Sequence, residues 1–423
     1  MKNTVKWSSL ALAVAMGNGL IATQAVAQGE GFVEGAKATL SNRTMYFNRD
    51  FRDSGAGQSK AEEAATGFLL NFQSGFTEGP IGLGADVLAM AGFKIDSGRG
   101  RTGTDLLPQK SNGKAPAEYS EIRGALKASI VEDTILRYGA HLPHNPVIAY
   151  DDYRLLPSHY SGYSITNQSI DGLFVEAGRM THRSDMNSSS ETKGAFDSVY
   201  DTPADYREKR VDYLGGTYSF AENLSASLYT SKAEDLWKRH YAGVTHTADL
   251  NGDLSLTTDV NFYKTSDDSA AAYNFGNKAG SLAFTLGAGF HDFTVAYQRM
   301  SGDNGFVYAD DAIYLANSVQ TVDFNAQDER SWQARYDYDF AGAGIPGLKF
   351  MTRYVRGSNI SSDVANRSSR WERDTDIGYQ FQSGFLQGVD LVWRNATVRQ
   401  DSGLDGGDID ENRVIASYTW NLL

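Results

Sequence analysis

Residues 331–340 read SWQARYDYDF, and their alternation decides the fold. Trp332, Ala334, Tyr336, Tyr338 and Phe340 share one parity, and Ser331, Gln333, Arg335, Asp337 and Asp339 share the other. A strand sends successive side chains to opposite faces, so this segment has one face of rings and one of polar and charged groups. The pattern recurs in LSLTTDVNF (254–262), where Leu254, Leu256, Thr258, Val260 and Phe262 oppose Ser255, Thr257, Asp259 and Asn261. It recurs again at 389–394, where Val389, Leu391 and Trp393 oppose Asp390 and Arg394.

A soluble sandwich gives the same alternation with its apolar face turned inward. Three features favour the inverted arrangement. Apolar faces end in Tyr, Trp or Phe, as rings at membrane interfaces do. Connections alternate in length: 340–347 and 384–388 are tight, whereas 184–210 and 301–329 are long and polar. The last segment, Val414, Ala416, Tyr418, Trp420 and Leu422, runs apolar to the end of the chain, as a strand closing against the first would. The reading is an all-β protein, a transmembrane antiparallel β-barrel of 18 strands, with 16 also compatible with the length.

Composition agrees. Cysteine is absent, which removes disulfides, thiolate nucleophiles and cysteine-ligated metals. With 43 glycines, 23 tyrosines and 21 phenylalanines against 8 prolines, the balance is β-rich. Net charge is −13 and mean hydropathy −0.41, compatible with a barrel whose lumen is polar and unlike a helical membrane protein. The acidic balance argues against nucleic acid as a partner. At the amino terminus, Lys2 and Lys6 precede an apolar run from Leu10 to Ile21, and Ala25-Val26-Ala27 supplies a small-residue cleavage site. Residues 1–27 are therefore expected to be a signal peptide, and 28–423 one barrel domain. Removing 27 residues takes away two lysines and no acid, leaving 396 residues at −15.

No G-x-S-x-G, H-E-x-x-H or phosphate-binding glycine loop occurs, and no cofactor or enzymatic activity is expected. His141 and His144 flank Pro143 in a turn with no third ligand in view, and Ser158-His159 is adjacent rather than triad-like. Arginine says more. Arg335 and Arg394 fall on polar faces, as do Arg123, Lys127, Arg137, Lys349, Arg353 and Arg413. A cation facing lipid at mid-bilayer costs about 2–4 kcal/mol, so these side chains are expected to line the lumen. A lumen lined by arginine selects anions or carboxylate-bearing solutes, since the planar fork holds a carboxylate bidentately. The alternative is that each arginine braces the wall against an acid such as Asp152 or Asp390. The proline- and tyrosine-rich stretch 144–170 suits a loop folded into the pore, with Asp151, Asp152 and Arg154 at the constriction; an external cap fits its composition too.

The segments EGAKATLSNRTMYFNRDFRD (34–53), DSGRGRTGTDLLP (96–108), YDDYRLLPSHYSG (150–162), VAYQRMSGD (295–303), GIPGLKFMTRYVRGSNI (344–360), WERD (371–374) and DIDENRVIASY (408–418) together resemble the OprD porin family. These are the outer membrane carboxylate channels of Pseudomonas and Acinetobacter. The resemblance implies an 18-stranded barrel in the outer membrane of a Gram-negative bacterium, an inward-folded third extracellular loop, and a ladder of arginines lining the pore. Carried onto this chain, the ladder is Arg43, Arg49, Arg154, Arg299, Arg335, Arg353, Arg356 and Arg394, with Asp152 opposing it. Two members conflict with parity: Arg299 shares its face with Phe293, Val295 and Tyr297, and Arg353 and Arg356 have opposite parity. The implied partners are small carboxylates, outer-membrane lipid and lipopolysaccharide, with a monomer or weak trimer as the assembly. Within the family the reading leans to aromatic acids such as benzoate or vanillate over basic amino acids and carbapenems. A barrel enzyme or adhesin is the competing class.

Overall fold

Each alternating segment forms a strand of one continuous antiparallel sheet in the computed structural model, which describes residues 31–423 apart from 54–56, 132, 195–209, 269–273, 309, 362–365 and 405. The expected signal peptide, 1–27, lies outside the described residues. The first strands are β1 Lys37–Phe51, β2 Lys60–Gln73, β3 Gly82–Asp96, β4 Glu118–Val131, β5 Thr134–His141 and β6 His159–Ile170. Then come β7 Leu173–Ser184, β8 Val211–Ala221, β9 Leu224–Ala233, β10 Trp237–Asn251, β11 Leu254–Asp267 and β12 Asn277–Ala288. The chain finishes with β13 His291–Gly302, β14 Arg330–Asp339, β15 Leu348–Ser361, β16 Asn366–Gln380, β17 Asp390–Gln400 and β18 Ile409–Asn421. The last pairs with the first from Thr39↔Asn421 to Phe51↔Ile409, so the 18-strand barrel is closed and leaves no edge in lipid.

Polarity is inverted relative to a soluble core. Outward Leu126 is 66% exposed, whereas inward Glu372 is 0% exposed. Each large outward apolar side chain gains roughly 1.5–3 kcal/mol once lipid covers it, the same transfer that buries such residues in a soluble protein. At the tight-turn end, edge-on ring pairs form a girdle: Tyr338–Phe340 at 4.7 Å, Tyr379–Phe381 at 5.1 Å and Tyr418–Trp420 at 4.8 Å. The tight turns there use left-handed glycines, Gly172, Gly252 and Gly289, where any side chain would be strained.

Two long connections fold into the lumen. Residues 142–158, the third long loop, are one. The composition of 144–170 suggests a loop reaching Ile170, but HYSGYSIT alternates and pairs with β5 and β7 as β6. Residues 303–329, the seventh, are the other, and nothing in their composition signals an inward path. The third loop crosses the barrel and is fastened at both ends. Val147 and Ile148 pack with Tyr160, Tyr263 and Phe306 on one side, and Leu155 and Leu156 with Met45, Phe47, Leu69 and Met90 on the other. Gly67 on β2 permits the second contact, since a Cβ there would lie 2.9 Å from Leu155 Cγ. The seventh loop is tied to the wall by inward polar side chains. The Gln298 amide donates to the carbonyls of Asp323 (2.9 Å) and Phe324 (3.0 Å), and Glu372 accepts from the backbone of Thr321 (2.9 Å) and Val322 (2.8 Å). A parallel bridge, Ala149↔Asp310, joins the two loops.

Candidate functional site

The inward faces of β14 to β18 and β1 carry charge in register. Arg335 stands opposite Arg353, Arg353 opposite Asp374, Asp376 opposite Arg394, Arg394 opposite Arg413, and Arg413 opposite Phe47. Like charges directly across a sheet are unfavourable, and carboxylates relieve them here. Asp337 accepts from Arg335 Nε and Nη2 at 2.7 Å, Asp374 from Arg353 at 2.6 Å, and Asp376 lies 3.1 Å from Arg394 Nε. Glu411 serves two cations, one oxygen 2.7 Å from Arg49 Nη2 and the other 2.6 Å from Arg413. It also accepts from Gln320 of the seventh loop at 3.1 Å.

Above this row the third loop supplies Asp152 and Arg154. Arg43 grips Asp152 with two parallel contacts, 2.7 Å to Oδ1 and 3.1 Å to Oδ2, and its Nη1 also donates to the Arg154 carbonyl at 2.6 Å. Asp152 is thus the anchor of the loop against Arg43. Arg154 donates only to carbonyls, Thr104 at 2.8 Å and Tyr153 at 3.3 Å, and no carboxylate among the described residues lies within ion-pair distance of it. Its guanidinium lies 5.1 Å from the Phe47 ring centroid, and Arg413 (4.8 Å) and Arg49 (5.4 Å) approach the same ring. Burial, reinforced by nearby Arg413, draws Arg154 down to about 10, which leaves it charged at neutral pH. Three guanidiniums around one ring with one carboxylate make this an electropositive point of the lumen.

Exposure sorts the arginines into two kinds. Arg49 (21%), Arg394 (16%), Arg353 (15%) and Arg335 (14%) keep part of the side chain open to the lumen. Arg43, Arg154 and Arg413 are buried, Arg43 against Asp152 of the third loop and Arg413 against Glu411. The sequence suggests Asp152 and Asp390 as bracing acids for Arg154 and Arg394, and the structure pairs them otherwise. Asp152 goes to Arg43, and Arg394 takes Asp376 in place of Asp390.

Two expected ladder members are misplaced. Arg299 of β13 and Arg356 of β15 point outward, because Gln298 and Val355 beside them are the buried, inward positions. The bulge that would have turned Arg356 inward lies beyond it, between Gly357 and Ile360. Arg413, lumenal by parity, has a part in the site that the ladder leaves out, and its spacing from Glu411, two residues earlier on the same face, is the signal for it. The seventh loop's share has no such signal, since its residues touch the site only after folding.

Opposite the arginine row, acids gather where the loops meet. Asp310 pairs with Arg183 and accepts from Tyr160. Asp151 is pushed well above the usual carboxylate range by burial beside Asp310 and Asp311. Asp311 is raised to about 7 by burial, with Asp323 and Asp310 adding repulsion. Beneath the third loop, on the tight-turn side, lies a cavity of about 440 Å³ lined by Arg123, Lys127 and Arg137 together with Asp86 and Glu176. His141 is held by the Gly139 carbonyl and Ser164, and no metal-holding group of three or more ligands occurs among the described residues.

The family model for "outer membrane porin, OprD family" matches residues 30–422. Porin D of Pseudomonas aeruginosa is 35% identical over 448 residues, 99% of each chain. OccK9 (OpdG) of Pseudomonas aeruginosa superposes with a TM-score of 0.88 at 38% identity, covering 93% of this chain and 100% of that one. OpdK from the same organism, solved with vanillate, gives a TM-score of 0.85 at 34% identity over 92% of this chain and 100% of that one.

Proposed function

This chain belongs to the OprD family of outer membrane porins, passive channels of the bacterial outer membrane, and from that premise we propose that it admits small carboxylate-bearing solutes, aromatic acids foremost. The observation that carries the reading is the row Arg335, Arg353, Arg394 and Arg49. Each guanidinium is held on one side by a wall carboxylate and left partly open on the other. Fixed in this way, each offers its remaining N–H groups to a passing carboxylate, and the next arginine lies a strand or two away. Binding that is favourable but repeated lets the solute move on rather than lodge. Arg154 adds a charge with no carboxylate among the described residues within ion-pair distance, which biases the lumen there toward anions. The vanillate bound to OpdK, at 34% identity, supports an aromatic acid as the solute.

A second reading, basic amino acids, is favoured by one observation: Asp311, raised to about 7 beside Asp323 and Asp310 at the loop junction, is an acid whose charge an ammonium would compensate while the arginines take the carboxylate. The deciding measurement is uptake of radiolabelled benzoate, vanillate, arginine and glucose into liposomes carrying the purified porin. Benzoate and vanillate should enter fastest and glucose slowest. Arginine outrunning both aromatic acids would establish the second reading, and equal rates for all four would reject selectivity.

A further inference from the structure

The two arginines that point away from the pore belong to a separate pattern. At the long-loop end of β13 to β16 the outward positions include Arg299, Arg330, Arg356 and Arg373. Arg299 pairs directly across from Arg330. Arg330 and Arg356 are diagonal neighbours, because Arg330 pairs with Ser358 and Trp332 with Arg356. Arg356 and Arg373 are diagonal in turn, because Tyr354 pairs with Arg373 and Arg356 with Trp371. Opposed like charges weaken a sheet unless something compensates them. Nothing in the wall does: the outward positions of these four strands carry no carboxylate, and among the described residues Arg299, Arg330 and Arg356 form no ion pair. This occurs in a chain of net charge −13. A cationic patch held in register on so acidic a protein calls for an anion from outside.

Height in the membrane says where that anion is. Within two residues of the arginines in register run the outward rings Tyr297, Trp332, Tyr354 and Trp371, with Trp332–Tyr354 centroids at 5.6 Å and Tyr354–Trp371 at 5.7 Å. Rings in this position mark a membrane interface. From the tight turn at Phe290 to Arg299, strand rise of ~3.4 Å per residue and a tilt of ~40° climb about 23 Å, close to the height of the apolar band of such barrels. The guanidiniums therefore lie at the headgroup level of the outer leaflet.

We propose that Arg299, Arg330 and Arg356, with Arg373 beside them, bind the phosphorylated sugar head of an outer-leaflet lipopolysaccharide. Its phosphates accept bidentate bonds from the arginine forks, and its acyl chains lie on Tyr297, Trp332 and Tyr354. Arginine suits this task better than lysine because its planar donors match phosphate geometry. The site rests on the outer-membrane placement and is independent of which solute the pore carries.

The test uses the folded porin in detergent with three probes: diphosphoryl lipid A, dephosphorylated lipid A, and inorganic phosphate. Diphosphoryl lipid A should bind and raise the melting temperature, and the other two should do neither at matched concentration. Arg299→Gln with Arg330→Gln should weaken that binding about a hundredfold, taking roughly tenfold for each guanidinium–phosphate pairing removed. Arg299→Lys with Arg330→Lys should bind between the parent and the Gln variant, the charge being kept and the bidentate fork lost. Arg356→Gln alone, with a loss of about tenfold, serves if the double variant does not fold. Single-channel conductance should be unchanged in all of them, since none of these side chains faces the lumen. Equal binding of dephosphorylated lipid A, equal competition by inorganic phosphate, or undiminished binding by the variants would each overturn the assignment.

Discussion

Arg43 of β1 holds Asp152 of the third loop by a bidentate ion pair, 2.7 Å and 3.1 Å, with both side chains buried. This pair ties the loop to the wall, and the next residue but one, Arg154, is held by the same guanidinium through its carbonyl. Burial pulls Asp152 toward its neutral form and Arg43 opposes that pull. Arg43→Gln should therefore free the loop. Stability should fall by about 3 kcal/mol, the usual cost of leaving one buried charge unpaired. Conductance should rise and anion preference weaken. An unchanged conductance at lowered stability would mean that the loop does not set the bore.

Asp376 braces Arg394, the proposed function makes the same arginine a conducting step, and one pair of variants separates the two roles. Arg394→Gln leaves Asp376 uncompensated and should lower both melting temperature and benzoate flux, with ion preference moving toward cations. Arg394→Gln with Asp376→Asn removes both charges and should recover most of the stability without recovering the flux. Benzoate flux that returns with stability would assign Arg394 to the wall alone.

The acids at the loop junction should make the channel pH-sensitive. Asp311, raised to about 7, is neutral well below that pH and ionised above it. In an open loop its value would be about 3.9, so the cost of burying its charge is absent below pH ~4, grows between ~4 and ~7, and is constant above. Rising pH should thus add negative charge at the constriction, lower anion preference and loosen loop packing, with a midpoint near 7. Reversal potentials across roughly pH 5 to 9, a span that brackets this transition, should show it in the parent protein and lack it in Asp311→Asn.

Single cysteines in this cysteine-free chain report orientation. Cysteine at Arg335 or Arg394 should react with a water-soluble thiol reagent added to either side, and cysteine at Trp332 or Trp393 only with a lipid-soluble one. The reverse pattern would contradict the inverted polarity of the wall.

Period-two alternation was enough to determine the barrel, because a closed sheet in lipid must turn apolar side chains out and polar ones in, and parity records that choice residue by residue. The same parity correctly held Arg335, Arg353 and Arg394 inside. It also kept Arg299 and Arg356 outside, against a family resemblance that counted arginines without regard to face. What parity does not carry is pairing between distant segments. That Asp152 meets Arg43, that Gln320 reaches Glu411, and that Arg154 has no carboxylate among the described residues within ion-pair distance depend on two loops crossing the lumen. The positions of those loops are fixed by long-range contacts, Leu155 on Met45 and Phe47 or Gln298 on Phe324, that join residues far apart in the chain and so leave no local period to read.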